Sequence, residues 1–380
     1  MGSLGKRNKE STFLFCVTVI DSIAQILSIT MANKNLAKAK NAKNDEFYTQ
    51  YADIQKEINA YLEYDPDVFR GKTILLPCDD PEWSNFTKFF AQNFENFGLK
   101  KLISTSYAVE SKIYKQGYMP SLFETQSPQF DELKTRTKGK IFVLDHDTNQ
   151  SGRIDIEDLQ WQYLEGDGDF RSDEVKNLRD EADIIVTNPP FSLFREFLAW
   201  IIKVNKQFII IGHQNSITYK EVFPLIKYNK IWLGKGFKGG ATHFHSTYQD
   251  YATAGNHVEG MIRVSGVIWL TNLDHGRRHQ PLSLMTMADN IKFSKHKEVK
   301  GVGYQKYDNY DAIEVPYTDA IPSDYDGVMG VPISFLDKYC PEQFEIVGLD
   351  RYVEDNPKYG HRFTIGGKET YARILIRKKQ

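Results

Sequence analysis

The feature that most constrains the fold is the run DIIVTNPPFSLF at 183–194. Its first half is continuously apolar and β-branched, which is typical of a strand buried under helices on both faces of a parallel sheet. Two prolines follow at once, and because they fix φ and lack an N–H they end the strand in a rigid loop. The run therefore predicts a parallel α/β sheet. It places Asn188, Pro189, Pro190 and Phe191 at the carboxyl end of a strand, where open α/β sheets bind ligands.

The rest of the first 270 or so residues alternates between strand and helix patterns. An apolar helical repeat at 53–64 precedes a β-rich run at 72–80, an amphipathic helix at 84–98 and a second strand at 100–107. A β–α–β unit of this length predicts a doubly wound α/β sheet. Further strands are predicted at 140–147, 182–187, 207–212, 230–237 and 265–273, helices at 193–205 and 219–228, and a polar insertion at 108–140.

Three parts are expected along the chain. Residues 1–42 form a Lys-rich extension in which 11–20 imitates a signal peptide, but the apolar run is broken by Asp21. We expect the true start at Met31, a catalytic domain over 43–272, and a separate recognition region over 273–380, where the strand and helix patterns stop. No segment has the length and apolarity of a membrane span.

Charge is distributed unevenly along the chain, although the net charge is only −2. Residues 1–43 carry +5, 44–202 carry −12, 203–306 carry +9 and 307–380 carry −4. The basic block at 203–306 predicts a polyanionic partner, with a merely solvated face as the alternative. A 41% hydrophobic content excludes a disordered chain. Three cysteines without a CxxC pair predict a reducing, cytoplasmic setting.

The residue types at 188–191 suit the binding of an aromatic amine. The Asn188 side-chain carbonyl and the carbonyls of the proline loop accept hydrogen bonds, and Phe191 offers an aromatic face. Such a set can hold the two N–H groups of an amine while its flat ring stacks on Phe191. A rigid turn without chemical function is the alternative.

A strand ending in Asn-Pro-Pro-Phe resembles the signature of amino-group methyltransferases that use S-adenosylmethionine (SAM). With KNDEFYTQ (43–50), EGDGDF (165–170) and TNPPFSLFREF (187–197), the chain is similar to the EcoRI-type adenine-specific DNA methyltransferases from about residue 40 onward. The resemblance implies a Rossmann-like SAM-binding sheet and methylation of the adenine N6 amino group in DNA. It also implies that the catalytic motif is Asn188, Pro189, Pro190 and Phe191, with Phe191 holding a flipped base.

The resemblance assigns two further motifs to the cofactor. Phe47, Tyr48 and Thr49 match the motif that contacts the methionine part of SAM. Asp169 and Phe170 match the motif for its adenine, where Asp169 would accept from the adenine amino group and Phe170 would pack on the ring.

The first SAM loop of the family falls on LPCDDPEWSNF (76–86), which includes Pro77. Asp79 and Asp80 stand where the family has glycines, and a carboxylate there can accept from the methionine ammonium group. The second strand lacks the acidic residue that usually holds the ribose hydroxyls, and Glu110 is the candidate substitute.

The basic block supplies candidate DNA contacts. Lys235 and Lys238 lie among flexible glycines that allow close approach to a phosphate backbone, and Arg277 and Arg278 could grip phosphate or read guanine edges. The expected partner is double-stranded DNA. Two settings stay open: a restriction-modification system, in which a cognate restriction endonuclease acts on the same DNA without binding this chain, or an orphan or phage methylase without such a nuclease. Methyl transfer to RNA or to a protein glutamine, or a catalytically inactive nucleic-acid-binding relative, stay open as alternatives.

Two motifs imitate metal sites, although no metal is expected. DTNQSGRIDIED (147–158) has a calcium-loop pattern, but a strand precedes it and Asp158 replaces the final Glu, so a tight polar loop is favoured. HFH at 243–245 has no evident third ligand. Three tyrosines of the C-terminal region are predicted to pack in a small core rather than stack on bases: Tyr304, Tyr307 and Tyr310.

Overall fold

The computed structural model describes residues 49–79, 84–108, 125, 128–237, 241–245, 261–353 and 361–379. Five residues singled out from the sequence, together with the extension over 1–42, lie outside the described residues: Phe47, Tyr48, Asp80, Glu110 and Lys238.

Two compact units divide the chain. The first contains the residues up to Gln55, Asp67–Gly212 and Thr242–Val264. The second contains Lys56–Pro66, His213–Ala241 and Ser265–Gln380. The boundary at 272 between catalytic and recognition parts stays a prediction.

A mixed sheet with a parallel centre organises the first unit. Its strands are β1 (Thr73–Leu76), β2 (Lys101–Ser106), β3 (Lys140–Leu144), β4 (Gln160–Tyr163), β5 (Ile184–Thr187) and β6 (Gln207–His213). They run in the order β4-β3-β2-β1-β5-β6. Neighbours among β2, β1, β5 and β6 pair in parallel, whereas β3 and β4 are added antiparallel at one side. The predicted α/β class and parallel centre are therefore confirmed.

The path of the chain creates a switch in strand order beside β1. From β1 the chain proceeds to β2, β3 and β4 on one side, and then returns to β5 on the other side. Residues of both central strands are fully buried, including Ile74, Leu75, Ile184 and Ile185. In open α/β sheets a ligand binds at the carboxyl ends of the strands at such a switch point. Here those ends are the residues after Leu76 and Thr187.

Helices of the described chain up to β6 are α1 (Tyr51–Tyr64), α2 (Asn85–Gln92), α3 (Phe94–Phe97), α4 (Glu132–Thr137), α5 (Asp173–Glu181) and α6 (Phe194–Ile202). The single helix predicted over 84–98 is divided at Asn93, whose side chain donates to the Phe89 carbonyl at 2.8 Å. Helix α4 lies in the segment predicted as a polar insertion, and α5 was not predicted. None of the described helices is long and apolar enough to cross a membrane.

The second unit contains α7 (Phe223–Lys227) and a strand β7 (Trp232–Leu233) that pairs antiparallel with β10 (Val267–Thr271). Strands β8 (Ala241–His245) and β9 (Met261–Ser265) belong, apart from Ala241 and Ser265, to the first unit, where they form a separate two-stranded sheet. Helix α8 (Met287–Phe293) follows β10.

A four-stranded sheet, which the sequence did not predict, closes the second unit. Its strands are β11 (Ile313–Glu314), β12 (Met329–Pro332), β13 (Phe344–Leu349) and β16 (Arg373–Lys378), in the order β11-β12-β16-β13, and β14 (Thr364–Ile365) forms a hairpin with β15 (Lys368–Glu369). Tyr307 is buried in its core, and Tyr310 stacks on Phe363 with ring centroids 4.9 Å apart. Packing of these two tyrosines is thus confirmed.

Candidate active site

The Asp79 carboxylate lies at the switch point between β1 and β5. Asp79 is 6% exposed, and its Oδ1 accepts from the Ser84 hydroxyl at 2.8 Å. Its Oδ2 accepts from the hydroxyl of Thr187, the last residue of β5, at 2.7 Å. Because Thr187 directly precedes Asn188, one buried carboxylate connects the predicted cofactor loop to the proline motif.

Polar residues at the end of β2 hold the loop that carries Asp79. The Thr105 hydroxyl donates to the Pro77 carbonyl at 3.0 Å, and the Ser104 hydroxyl donates to the Asp79 carbonyl at 2.6 Å. Both donors are fully buried. Sequence reasoning missed them, although consecutive hydroxyl residues inside a buried strand are a detectable signal, because buried hydroxyls need partners.

Thr49 joins the N-terminal motif to the same place. Its carbonyl accepts from the Asn85 side chain at 2.8 Å, and its hydroxyl accepts from the Asn188 amide nitrogen at 3.5 Å. The Pro190 carbonyl accepts from the Leu193 N–H at 3.0 Å, which closes the turn after the prolines. Three segments that are distant in sequence therefore meet around Asn188.

Asp169 lies beside the end of β2. Gly168 has φ +83°, and a Cβ there would come within 2.2 Å of the Ser106 carbonyl oxygen, so only glycine allows this approach. Asp169 accepts from the Arg171 backbone N–H and Nε, each at 2.8 Å, and from the Tyr107 hydroxyl at 3.4 Å. Burial alone would raise the pKa of Asp169, but the hydrogen bonds from Arg171 outweigh it and hold the pKa below its usual value. Asp169 is therefore a carboxylate at neutral pH.

Phe170 is only 5% exposed. Its ring packs edge-on against Phe197 and Trp200, with centroid distances of 5.1 and 5.7 Å. These contacts connect the Gly-Asp-Phe segment to α6. Its predicted contact with the SAM adenine stays a prediction.

The donor and acceptor set at the switch point fits SAM. A buried, hydrogen-bonded carboxylate at Asp79 suits the ammonium group of a methionine moiety, and the ionised Asp169 suits N–H or O–H donors of a nucleoside. Both acids lie at the carboxyl side of the parallel strands, which is the expected side for a nucleotide-like ligand.

The two arginines predicted to bind DNA have different environments. The Arg278 side chain is 10% exposed, lies 3.8 Å over the Trp232 ring and donates to Asn229 at 3.0 Å. These contacts hold the Arg278 guanidinium group largely inside the protein, and its contact with DNA stays a prediction. Arg277 instead lines a cavity of the second unit, as does Lys235.

Lys235 lies in a loop held by a buried acid. Glu57 is fully buried and accepts from the Tyr61 hydroxyl at 2.5 Å and from the Gly236 N–H. A Cβ at Gly234 would come within 1.9 Å of the Glu57 carboxylate, so the loop packs directly on this group. Burial raises the pKa of Glu57 to about 6, more than the hydrogen bonds from Tyr61 and the loop lower it.

Glu57 should make stability depend on pH. Because its pKa is raised from 4.5 to about 6 on folding, the folded state binds the proton more tightly than the unfolded state, and stability falls as pH rises through this window. The cost is about 2 kcal/mol above pH 6. Glu57→Gln, which cannot ionise, should therefore gain about 2 kcal/mol relative to wild type between pH 4 and pH 7. Urea unfolding of both proteins across this range tests it, and parallel stability curves would contradict it.

The calcium-like segment is a tight polar loop built on its own carboxylates. Asp158 accepts from the backbone N–H groups of Thr148, Asn149 and Asp155 at 2.8 to 3.1 Å. Asp147 accepts from the N–H of Gly152 at 2.7 Å. In the described part of the chain no three His, Cys, Asp or Glu side chains are arranged to hold a metal ion.

The parallel-centred sheet, the buried acids at its switch point and the adjoining Asn-Pro-Pro-Phe turn are the features expected of a SAM-dependent methyltransferase of the amino-group class. A family model described as adenine-specific methyltransferase EcoRI matches residues 35–379. The chain therefore belongs to the EcoRI adenine-specific methyltransferase family, and it is an adenine-specific DNA methyltransferase that uses SAM.

Curated relatives match over nearly the whole chain. The Escherichia coli protein "Type II methyltransferase M.EcoRI" is 44% identical over 353 residues, covering 92% of this chain and 97% of that protein. "Type II methyltransferase M.MgeORF184P" of Mycoplasma genitalium is 33% identical and "Type II methyltransferase M.MpnI" of Mycoplasma pneumoniae 32% identical, each covering 90% of this chain and 98% of its own length. No solved structure gives a significant match.

Proposed function

We propose that the chain methylates the N6 amino group of an adenine rotated out of the DNA helix, and that residues 188–191 hold this adenine. The sheet is proposed to be Rossmann-like and to bind SAM at the switch point between β1 and β5. The observation that carries this proposal is the hydrogen bond from Thr187 to the Asp79 carboxylate. Because Asn188 follows Thr187 directly, this bond places the substrate motif beside the candidate cofactor loop.

Bound SAM supplies a methyl group on a positively charged sulfur. The residues of the chain hold the acceptor amine: Asn188 Oδ1 and the Pro189 carbonyl accept its two N–H groups and favour a nitrogen whose lone pair is free of the ring. Fixed orientation and preorganised acceptors lower the barrier. The Pro190 carbonyl is engaged by Leu193, which keeps the loop rigid, and Phe191 stacks on the flipped base.

The proposed cofactor roles are divided between the two ends of the SAM molecule. On the methionine side the proposal places Phe47, Tyr48, Thr49, Pro77 and Asp79. On the adenine side it places Asp169 and Phe170, with Asp169 accepting from the adenine amino group.

Asp169→Ala should weaken SAM binding. Loss of one hydrogen bond to a charged acceptor costs about 1.5–3 kcal/mol, so the Kd for SAM should rise roughly 10- to 100-fold. Titration calorimetry measures this directly. Asp173→Ala is the matched control, because this nearby acid is 95% exposed and, within the described part of the chain, forms its ion pair with Lys176. An unchanged Kd in Asp169→Ala would remove Asp169 from the cofactor site.

The relatives carry the name type II methyltransferase. We therefore include in the proposal a cognate restriction endonuclease that recognises the same DNA sequence, and a cytoplasmic location with access to that DNA. Target recognition is assigned to residues 273–380 and catalysis to 43–272.

The reaction is tested with purified protein, SAM and unmethylated plasmid in one tube and bulk RNA in another. Each product is digested to nucleosides and analysed for N6-methyladenine by mass spectrometry. We expect the modified nucleoside in the DNA tube alone. Modification in the RNA tube alone, or none in either tube while SAM is bound, would overturn the proposed substrate.

A further inference from the structure

A cavity of about 490 Å³ in the second unit is lined by four basic side chains. Two of them, Lys235 and Arg277, were singled out from the sequence. The other two, Lys56 and Lys338, come from α1 and from the segment before β13, and no sequence motif drew attention to them. Four cations around one cavity require a physical explanation, because like charges in proximity repel one another.

The cations of the cavity are incompletely neutralised. Lys235 pairs with Glu63 at 3.0 Å. Lys56 and Lys338 are exposed and make no ion pair with any residue that the structure describes. The one acidic side chain in the lining, Asp319, pairs with Lys295 and His296, each at 2.8 Å. The cavity therefore has an excess of positive charge that favours an anionic ligand.

Two walls of the cavity are held in place by buried or bidentate contacts. The loop carrying Lys235 packs on the buried Glu57 carboxylate through Gly234 and Gly236. On the wall that follows Arg277, the Leu282 N–H donates to the Gln343 side chain at 2.7 Å, and that side chain donates back to the Leu282 carbonyl at 2.9 Å. A preorganised wall loses less conformational entropy when a ligand binds.

Arg277 is positioned by its neighbour. Arg278 is held against Trp232 and Asn229, and Arg277 donates to the Lys235 carbonyl at 3.5 Å. The short helix that contains both, Gly276–His279, thus directs one arginine into the protein and leaves the other on the cavity.

We propose that this cavity binds the phosphate backbone of duplex DNA outside the target base, with Lys56 and Lys338 as contacts that complete the set formed by Lys235 and Arg277. The proposal rests on duplex DNA being the substrate. Phosphate rather than a base edge is favoured because lysines act as mobile point charges, whereas base reading uses fixed bidentate donors. Such contacts add affinity without sequence preference and make binding sensitive to salt.

The test compares two double variants. The cavity variant carries Lys56→Gln and Lys338→Gln, and the control variant carries Lys300→Gln and Lys368→Gln. The control lysines are exposed in the same unit and do not line the cavity. The Kd is measured by fluorescence anisotropy from about 50 to 200 mM salt, a range over which phosphate contacts lose affinity steeply. Two duplexes are used: one that the wild type methylates and one that it does not.

We expect the slope of log Kd against log salt to fall by about 2 in the cavity variant, or about 1 for each lysine, and by much less in the control. The loss of affinity should be the same for both duplexes. An unchanged slope, or a fall equal to that of the control, would overturn the cavity as a phosphate site. A loss of affinity confined to the duplex that the wild type methylates would overturn the phosphate assignment and indicate contacts with base edges.

Failure of this inference is distinguishable from failure of the proposed function. If the wild type methylates plasmid and the cavity variant keeps the wild-type salt slope, only the phosphate site is wrong. If the wild type neither methylates nor binds DNA, the substrate assignment itself is wrong. Thermal melting of each variant checks that the exposed substitutions leave the fold intact.

Discussion

Asn188→Ala will reduce methyl transfer at least about 1,000-fold while leaving the Kd for SAM within about twofold of wild type. Alanine removes the side-chain oxygen that we propose accepts from the substrate amine, and loss of one preorganised group aimed at developing charge costs on the order of 100- to 1,000-fold in rate. A misplaced nitrogen adds to this loss. Single-turnover transfer of radiolabelled methyl to DNA measures the rate, and calorimetry measures SAM binding.

Asn188→Asp is the informative companion variant. It keeps an oxygen acceptor at the same position and should retain measurable activity, whereas alanine should not. The Asn188 amide donates to the Thr49 hydroxyl at 3.5 Å, whereas an aspartate could only accept from that hydroxyl, so a partial loss of activity is expected. If Asn188→Ala loses SAM binding together with activity, the residue acts on the cofactor and its assigned role is wrong.

Asp79→Asn will weaken SAM binding about 100-fold and reduce turnover with it. The substitution keeps the size of the side chain but removes the negative charge that we propose holds the ammonium group of SAM, and charged hydrogen bonds contribute about 1.5–3 kcal/mol each. Because Asp79 also accepts a hydrogen bond from the Thr187 hydroxyl, the start of the Asn-Pro-Pro-Phe turn should shift as well. A variant with normal SAM affinity and normal kcat would remove Asp79 from the site.

Ser84→Ala separates the role of Asp79 from general stability. Ser84 donates to Asp79 and also caps α2 by accepting from the Phe86 N–H. Loss of such a cap costs about 1 kcal/mol. Thr286→Ala is the control, because Thr286 caps α8 in the second unit. Both variants should lose similar stability, but only Ser84→Ala should raise the Kd for SAM.

The central strands and the proposed catalytic motif could be predicted from short stretches of the sequence. Burial on both faces leaves a continuous apolar run that can be read without knowing its neighbours, which is why residues 182–187 were assigned to a strand that the structure confirms as β5. The antiparallel direction of β3 was not predicted, because β3 has nearly the same buried apolar run as the parallel strands β1 and β5. The four-stranded sheet after residue 310 was not predicted, because β11 has only two residues and the other strands are separated by loops.

Adjacent, chemically identical residues show where the sequence stops being informative. Arg277 and Arg278 have the same side chain and nearly the same context in the sequence. Only the fold places one of them on Trp232 and the other on a basic cavity. The importance of Glu57 was equally hidden, because in the sequence it is an ordinary acid on an amphipathic helix.

The sequence by itself determined the α/β class, the family and the position of the Asn-Pro-Pro-Phe motif, because these depend on residue types at short range. The tertiary structure alone decided that Thr49, Asp79 and Asn188 meet at one switch point and that four cations share one cavity. Those relations depend on which strands become neighbours. That choice is made by burying apolar surface over the whole chain, and no short segment encodes it.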